Sequence, residues 1–460
     1  MSKYKGKKVL IFGFGVSGVA VAKYLVKLGA HVTVTDMKPR EALLDSISAC
    51  EELKLEYELG KHESKVLHAV DLIVVSPGIP LTLKLLQEAR ELNIPMTSEI
   101  ELAVDAIEEP IIAITGTNGK TTTTALIGEM FKADGKSVFV GGNIGRPLLD
   151  YVREGQKADV LVVELSSFQL EWAHQLIPAV AVFTNLEEDH LDRYPDMAAY
   201  TAAKKRLLKA CDRNTFVVLN RDNSNIARFQ DENPGKLFWF TKVNPQIERG
   251  DFAENFSGAY WDSRTKKIIA KIGGGEELYD LSSFRLFGEH NRENLLAAIV
   301  ATRIMGVSSS AIQKVIQSFK AVPHRLEFVR KKDGVFFFND SKGTNVMSVL
   351  KSLSSFNSNP IILIAGGKDK GGDFSPLVDW VKKKCKILIL LGEAKEKINR
   401  AIGDYAETYL VGTFEEAILL AYQKSRSGDI VLLSPGCASY DMFRNFEERG
   451  DYFKKLVTQL

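Results

Sequence analysis

Ile111-Ile-Ala-Ile-Thr-Gly-Thr-Asn-Gly-Lys-Thr-Thr-Thr-Thr124 joins three kinds of sequence: a β-branched apolar run, a glycine-bounded loop, and a helical pattern continued by Ala125, Leu126, Ile127, Met130 and Phe131. Strand, loop and helix N-terminus together form a phosphate cradle. Glycines let backbone N–H groups turn toward an anion, and the helix dipole adds favourable potential. Lys120 is placed to reach β/γ-phosphates and the Thr121 hydroxyl to ligate Mg²⁺. The spacing is shorter than the common GxxxxGK[ST] form, because Ile114 occupies the place of its first glycine.

Outward from this loop, three α/β blocks follow one another. The first has strand Lys8–Phe12, the turn Gly13-Phe-Gly15-Val-Ser-Gly18, a helix to about Leu28, strand His31–Thr35 ending at Asp36, and strand Asp71–Val75 running into Ser76-Pro77-Gly78. The second starts at the phosphate loop and carries Asp159–Glu164 and Val180–Asn185, apolar on both faces as central parallel strands are. Within residues 236–285 the character changes. Phe238-Trp-Phe, Gly258-Ala-Tyr-Trp and Lys267–Ile272 read as short antiparallel strands with turn chemistry at Asp262-Ser263. The third block follows Pro323, with strands near Val335–Phe338, Ile361–Ala365, Ile387–Leu391 and Ile430–Leu433. Alternating strands and helices imply mostly parallel sheets with ligands at strand carboxyl ends.

The chain has 460 residues, 45% hydrophobic and 26% charged, as expected of a soluble enzyme of about three domains. A formal net charge of +2 without a basic stripe gives no reason to expect nucleic acid. The four cysteines, Cys50, Cys211, Cys385 and Cys437, are far apart with no CxxC pair, which suggests neither zinc nor a disulfide framework and fits a reducing, cytoplasmic setting. Lys3 to Phe12 superficially resembles a leader, but Gly13, Gly15, Gly18 and Lys23 interrupt the apolar run. No stretch reaches membrane-spanning length, so no membrane association is expected.

Several motifs admit two readings. Gly13, Gly15 and Gly18 with Asp36 after the next strand match a dinucleotide fingerprint, yet the same turn can hold any diphosphate, including UDP, or be purely structural. Glu164 at a strand end is either a metal-binding carboxylate beside Thr121 or a helix-start acid. His190, in Thr184-Asn-Leu-Glu-Glu-Asp-His190, is a candidate ligand or a packed histidine. Lys204, in Tyr200-Thr-Ala-Ala-Lys204, reads by pattern alone as a solvated lysine. Asn339-Asp-Ser-Lys342 and Gly366-Gly-Lys-Asp-Lys370 are binding loops or turns.

Together these pieces resemble the Mur ligases, ATP-dependent amide-forming enzymes of peptidoglycan precursor synthesis. Thr115-Gly-Thr-Asn-Gly-Lys-Thr121 is that family's short phosphate loop. Five further stretches are similar to its D-glutamate-adding branch: Gly141-Gly-Asn-Ile-Gly145, Glu164-Leu-Ser-Ser-Phe-Gln-Leu-Glu171, Pro323-His-Arg325, Asn339-Asp-Ser-Lys-Gly-Thr-Asn345, and Ser434-Pro-Gly-Cys-Ala-Ser-Tyr-Asp-Met-Phe443 through Phe446-Glu-Glu-Arg-Gly450. Gly343 and Gly436 stand where alanines are expected.

The resemblance implies an N-terminal Rossmann-like domain (1–99) for the UDP-substrate. It implies a central P-loop ATPase-like domain (100–322) for ATP and Mg²⁺, mostly parallel with a small antiparallel sheet, and a C-terminal Rossmann-like domain (323–460) for D-glutamate. Val16, Ser17, Asp36, Lys38, Ser76, Asn143 and Gln169 would meet the UDP-sugar. Gly116, Thr117, Asn118, Gly119, Lys120, Thr121, Asn291, Asn294, Arg325 and Asp340 would meet ATP. One Mg²⁺ would use Thr121 and Glu164, a second His190 and Lys204, with Lys120, His190 and Lys204 as the catalytic group. His324, Lys342, Thr344, Lys370, Ser439 and Phe446 would form the D-glutamate pocket.

An ammonium at about 4 Å from Mg²⁺ would be repelled by about 8 kcal/mol at an effective dielectric of about 20. The family's answer is a carbamylated lysine, expected here at Lys204 rather than at its neighbour Lys205. The implied reaction joins D-glutamate to UDP-N-acetylmuramoyl-L-alanine through an acyl phosphate and a tetrahedral intermediate. A cytoplasmic monomer is expected. The alternatives are a sister ligase taking another amino acid, an NAD-dependent dehydrogenase, and a non-catalytic nucleotide sensor.

Overall fold

A computed structural model describes residues 2–68, 70–190, 193–245, 254–284, 286, 288–320, 322–356, 359–369 and 371–460. By internal contact the chain forms two compact units: residues 1–283 with 293–318, and residues 284–292 with 319–460.

The first unit contains two sheets. Strands β1 (Lys8–Phe12), β2 (His31–Asp36), β3 (Leu55–Leu59), β4 (Leu72–Val75) and β5 (Met96–Thr97) make a parallel sheet in the order β3-β2-β1-β4-β5. Because β1 lies between β2 and β4, the turn leaving β1 opens where the two neighbouring connections diverge.

The second sheet is built from β6 (Ile111–Thr115), β7 (Val138–Gly142), β8 (Val160–Glu164), β9 (Val180–Phe183), β10 (Phe216–Asn220), β11 (Lys236–Thr241), β12 (Gly258–Asp262), β13 (Lys267–Ile272) and β14 (Gly275–Asp280). Its order is β14-β13-β12-β11-β10-β9-β6-β8-β7. All five residues of β6 and of β8 are buried, which explains their uninterrupted apolar run.

One strand expectation is corrected here. β11 pairs parallel with both β10 and β12, and antiparallel pairing begins only at β12–β13 and continues in β13–β14. The antiparallel hairpins therefore extend the parallel sheet at its edge. The turn at Asp262 is as expected, its carboxylate accepting from the Arg264 N–H and the Thr265 hydroxyl.

Two helix-borne carboxylates fix the first block to the second within this unit. Glu99 accepts from the Leu149 N–H at 2.8 Å, and Glu101 from His174 and Gln175 N–H at 2.6 and 2.8 Å. Trp172 packs into the core of the first sheet beside Leu10, Phe12 and Val75.

The second unit holds β15 (Glu327–Lys332), β16 (Val335–Asn339), β17 (Ile361–Gly366), β18 (Cys385–Leu391), β19 (Glu407–Leu410) and β20 (Ile430–Leu433), ordered β15-β16-β20-β17-β18-β19. Only β15 is antiparallel. Adjacency of β16, β20 and β17 brings the loops after Asn339, Leu433 and Gly366 to one carboxyl edge. Among the described residues no helix is long and apolar enough to cross a membrane.

Candidate active site

The phosphate loop leaves β6 between β8 and β9, the switch point of the second sheet. Gly119 has φ 81°, and a Cβ there would meet Asn294 Oδ1 at 2.1 Å, so both conformation and space call for glycine. The helix Lys120–Ala133 begins directly after it.

The loop is held from β9's exit. Thr117 N–H donates to Asn185 O at 2.9 Å and Asn118 N–H to Asn185 Oδ1 at 2.8 Å, while the Thr184 hydroxyl donates to Asn118 O at 2.6 Å. Glu187 accepts from the Asn118 side-chain amide at 3.1 Å. Asn185 and Glu187, within the ligand-rich stretch that follows Thr184, thus brace the loop.

Two lysines converge on the loop's carbonyls. Lys120 Nζ donates to Gly116 O and Thr117 O, both at 2.9 Å, and Lys204 Nζ donates to the same Gly116 O at 2.8 Å. Lys204 is only 2% exposed and lies 4.8 Å from the Tyr200 ring centroid. Burial, reinforced by the charge of Lys120, holds its amine well below the ordinary lysine range against the opposing pull of Asp189 and Glu164. Lys205, by contrast, pairs with Glu232 at 2.5 Å on the outer side of the same helix.

Glu164, at the end of β8, is 1% exposed and uses both oxygens: Oε2 accepts from the Thr121 hydroxyl and Oε1 from the Asn143 amide, each at 2.8 Å. His190 adopts φ 57° and packs edge-on to Phe168 at 4.8 Å and to Tyr200 at 6.0 Å. Lys204 and His190 thus share the Tyr200 ring. Asn294 is buried, with Oδ1 3.5 Å from the Thr123 hydroxyl, and Asn291 lies in the first turn of the helix Glu289–Ile304.

At the first sheet, Asp36 accepts from Phe14 N–H at 2.8 Å and Lys38 N–H at 2.9 Å, and the Ser76 hydroxyl donates to Gly13 O at 3.0 Å. Asp36, Lys38 and Ser76 thereby surround the Gly-rich turn, with Val16 exposed and Ser17 opening the helix Val16–Lys27. Gln169 instead closes a capping box with Ser166, its Oε1 accepting the Ser166 N–H at 3.0 Å.

In the second unit, His324 (φ 64°) and Leu326 (φ 43°) flank Arg325 in left-handed backbone, a costly geometry for residues that carry a Cβ. His324 is 6% exposed, with Nδ1 3.1 Å from the Asn339 amide and its ring 6.0 Å from Phe446. Burial lowers its imidazole below the ordinary range. Lys342 lies 4.7 Å from the Phe446 centroid, and its N–H donates to His324 O at 3.0 Å.

Asp340 accepts from the Ser352 and Ser434 hydroxyls at 2.6 and 2.8 Å, and burial pushes its carboxyl up to about 6. Thr344 and Ser439 lie on the two neighbouring loops, Ser439 buried. Lys370 falls outside the described residues.

Arg449, missed by the sequence reading, is fully buried. Its guanidinium donates to Ser341 Oγ and O at 3.0 and 2.8 Å and to Cys437 O at 3.2 Å, stitching two of these loops together. A Cβ at Gly343 would meet Asp340 Oδ2 at 2.5 Å, and Gly436 has φ 67°, so both departures from alanine suit this backbone.

Residues 7–98 match the model of the Mur ligase MurD-like N-terminal domain, 114–302 the Mur ligase middle domain, and 324–437 the Mur ligase glutamate ligase domain. The chain belongs to the Mur ligase family. Among similar proteins, a UDP-N-acetylmuramoylalanine–D-glutamate ligase of Bdellovibrio bacteriovorus is 46% identical over 462 residues, covering 99% of this chain and 98% of the relative. One of Geotalea uraniireducens is 46% identical over 454 residues with the same coverages.

Solved Mur-type structures share the fold. A pseudomurein peptide ligase type C from Methanothermus fervidus superposes with TM-score 0.60 at 22% identity, over 99% of this chain and 100% of that one. A UDP-N-acetylmuramate-alanine ligase from Thermotoga maritima gives 0.59 at 18%, over 98% and 99%.

Mur ligases use ATP and Mg²⁺, and the touching Thr121 hydroxyl and Glu164 carboxylate are hard oxygen donors that fit such an ion. Among the described residues no group of three His, Cys, Asp or Glu converges on one point.

Proposed function

We propose that this chain joins D-glutamate to UDP-N-acetylmuramoyl-L-alanine at the expense of ATP, in peptidoglycan precursor synthesis in the cytoplasm. The observation that carries the reading is the pair Lys120 and Lys204 on the carbonyls of a loop beside a buried Thr121–Glu164 contact. Full-length identity of 46% to ligases of that name supports the substrates. The domain roles follow: residues 1–99 hold the UDP-sugar at the Gly-rich turn, 100–322 the nucleotide, and 323–460 D-glutamate around His324, Lys342, Thr344, Lys370, Ser439 and Phe446.

A carboxylate resists attack by an amine because oxide is a poor leaving group. The L-alanyl carboxylate therefore attacks the γ-phosphorus of ATP, ADP leaves, and an acyl phosphate forms. The amine of D-glutamate attacks the acyl carbon, gives up a proton, and phosphate departs from the tetrahedral intermediate.

In this scheme the chain positions and neutralises more than it reacts. The Gly116–Thr121 backbone and Asn294 seat the nucleotide, and Lys120 swings from its carbonyl partners to the phosphoryl oxygens. Asn291, Arg325 and Asp340 keep the nucleotide role that the resemblance implies. Ser17, Val16, Lys38, Asn143 and Gln169 serve the UDP-sugar with Asp36 and Ser76. Thr121 and Glu164 would hold one Mg²⁺, and His190 with carbamylated Lys204 a second; bound Mg²⁺ supplies charge neutralisation to the phosphoryl oxygens.

Burial lowers the basicity of Lys204, which favours addition of its free amine to CO₂. Addition forms an N–C bond, releases one proton and turns a potential cation into a carboxylate-bearing anion.

The test is phosphate release from ATP with UDP-N-acetylmuramoyl-L-alanine and a panel of amino acids. Stimulation by D-glutamate alone is expected. Stimulation by L-alanine or a diamino acid instead would assign the chain to a sister activity.

A further inference from the structure

Arg193 sits three residues beyond His190 and has no role in the reaction as described above. Its side chain is 12% exposed, and its two terminal guanidinium nitrogens donate to three partners. It donates to Pro77 O at 2.9 Å, to Ile79 O at 3.1 Å and to Glu171 Oε2 at 2.7 Å, and it stacks 4.2 Å from the Phe168 ring centroid.

The partners belong to two strand-end segments, Pro77 and Ile79 after β4 and Phe168 and Glu171 after β8. Pro77 and Ile79 follow Ser76, whose hydroxyl holds the Gly-rich turn at Gly13 O. Phe168 precedes Gln169 and packs against His190. The other Glu171 oxygen accepts from Tyr194 OH at 2.6 Å, and Arg193 and Tyr194 N–H both donate to His190 O at 3.0 Å. One part-buried side chain thus ties the loop beside the UDP-sugar turn to the loops carrying Gln169 and His190.

Three donors in one plane, two aimed at carbonyls and one at a carboxylate, are a demand that a guanidinium meets and an ammonium does not. Ring contacts continue from Phe168 through His190 and Tyr200 to Lys204.

We infer that Arg193 is a positioning residue for ligation, setting the register between the bound UDP-sugar and the phosphate loop so that the substrate carboxylate lies in line with the γ-phosphate. This rests on the functional reading above. In-line geometry tolerates little displacement, so loosening the loop should weaken UDP-substrate use and turnover while sparing nucleotide binding.

The experiment compares wild type, Arg193→Met and Arg193→Lys for kcat, for KM of each substrate, and for calorimetric binding of the UDP-substrate and of ATP. Met keeps the stem over Phe168 and removes every donor; Lys keeps the charge. Arg193→Met is expected to raise the KM and Kd for the UDP-substrate about 10-fold or more and to lower kcat about 10- to 100-fold, with ATP binding within about 2-fold. Arg193→Lys should fall between it and wild type.

Unchanged kinetics in Arg193→Met, or equal losses for both ligands, would overturn the inference. If the Met variant does not fold, wild-type kinetics in Arg193→Lys overturns it equally, and a selective UDP-substrate defect there upholds it. A wild-type enzyme without D-glutamate-dependent phosphate release would instead overturn the functional reading, and this inference with it.

Discussion

The loop cluster of the first unit and that of the second bury charge in opposite ways. At the phosphate loop, two amines rest on neutral carbonyls, and burial holds one of them well below the ordinary lysine range. At the carboxyl edge of the third sheet, a buried guanidinium and a buried carboxyl are each wrapped by several donors or acceptors of their own loops. The first arrangement leaves potential to be used on a ligand. The second spends its charges on loop shape, and the cost of burying Asp340 stays in the folded state.

The strongest way to break this contrast is Lys120→Ala. If the first cluster's charge serves the phosphoryl group, turnover should fall on the order of 10³-fold or more while calorimetric binding of the UDP-substrate survives. Near-normal turnover would remove the distinction.

Lys204→Gln keeps the stem but cannot take up CO₂, and a loss of about 10²- to 10³-fold is expected. In wild type, ¹³C-bicarbonate should give a carbamate carbon resonance by NMR that the variant lacks; its absence from active wild-type enzyme would leave Lys204 a plain amine.

Asp340 sharpens the other side. Its carboxyl is raised from 3.8 to about 6, so the folded state binds the proton more tightly than the unfolded chain. The contribution of this one group to stability is therefore greatest at low pH and is lost as pH rises from about 4 to about 6, by up to about 3 kcal/mol, staying flat above. Asp340→Asn, with both seryl hydroxyls free to rotate toward the amide, should equal or exceed wild type in urea denaturation at pH 7.5. That advantage should vanish near pH 4. Destabilisation at both pH values would mean that its charge is compensated.

The smallest effect belongs to Lys205→Ala. Loss of the surface pair with Glu232 should leave the urea midpoint close to wild type and turnover within about 2-fold.

The phosphate loop was legible because strand, glycines, lysine and helix start are contiguous, so local chemistry alone predicts the cradle. Lys204 is a subtler case. Tyr200, Ala203, Leu207 and Leu208 are all buried on the helix Met197–Lys209, so the lysine lies inside an apolar stripe, a signal readable from spacing but outweighed by its charged neighbours.

Strands β3, β14, β15 and β19 went unread because sheet-edge and near-edge positions admit the glutamates and lysines that fill them. The direction of β11 is set by its connection from β10, which no residue within the strand encodes. Glu171, Arg193 and Arg449 act through partners from 11 to 116 positions away, Arg449 reaching Ser341 across 108, and a single sequence carries no mark of such pairings.

The central claim is that the phosphate loop activates a substrate carboxylate. It is tested most directly with UDP-N-acetylmuramoyl-L-alanine carrying ¹⁸O in its alanyl carboxylate, ATP and D-glutamate, followed by mass spectrometry of the inorganic phosphate. The account predicts one ¹⁸O atom per phosphate released, because the oxygen that attacks phosphorus leaves with it. Unlabelled phosphate alongside D-glutamate-dependent turnover would contradict it.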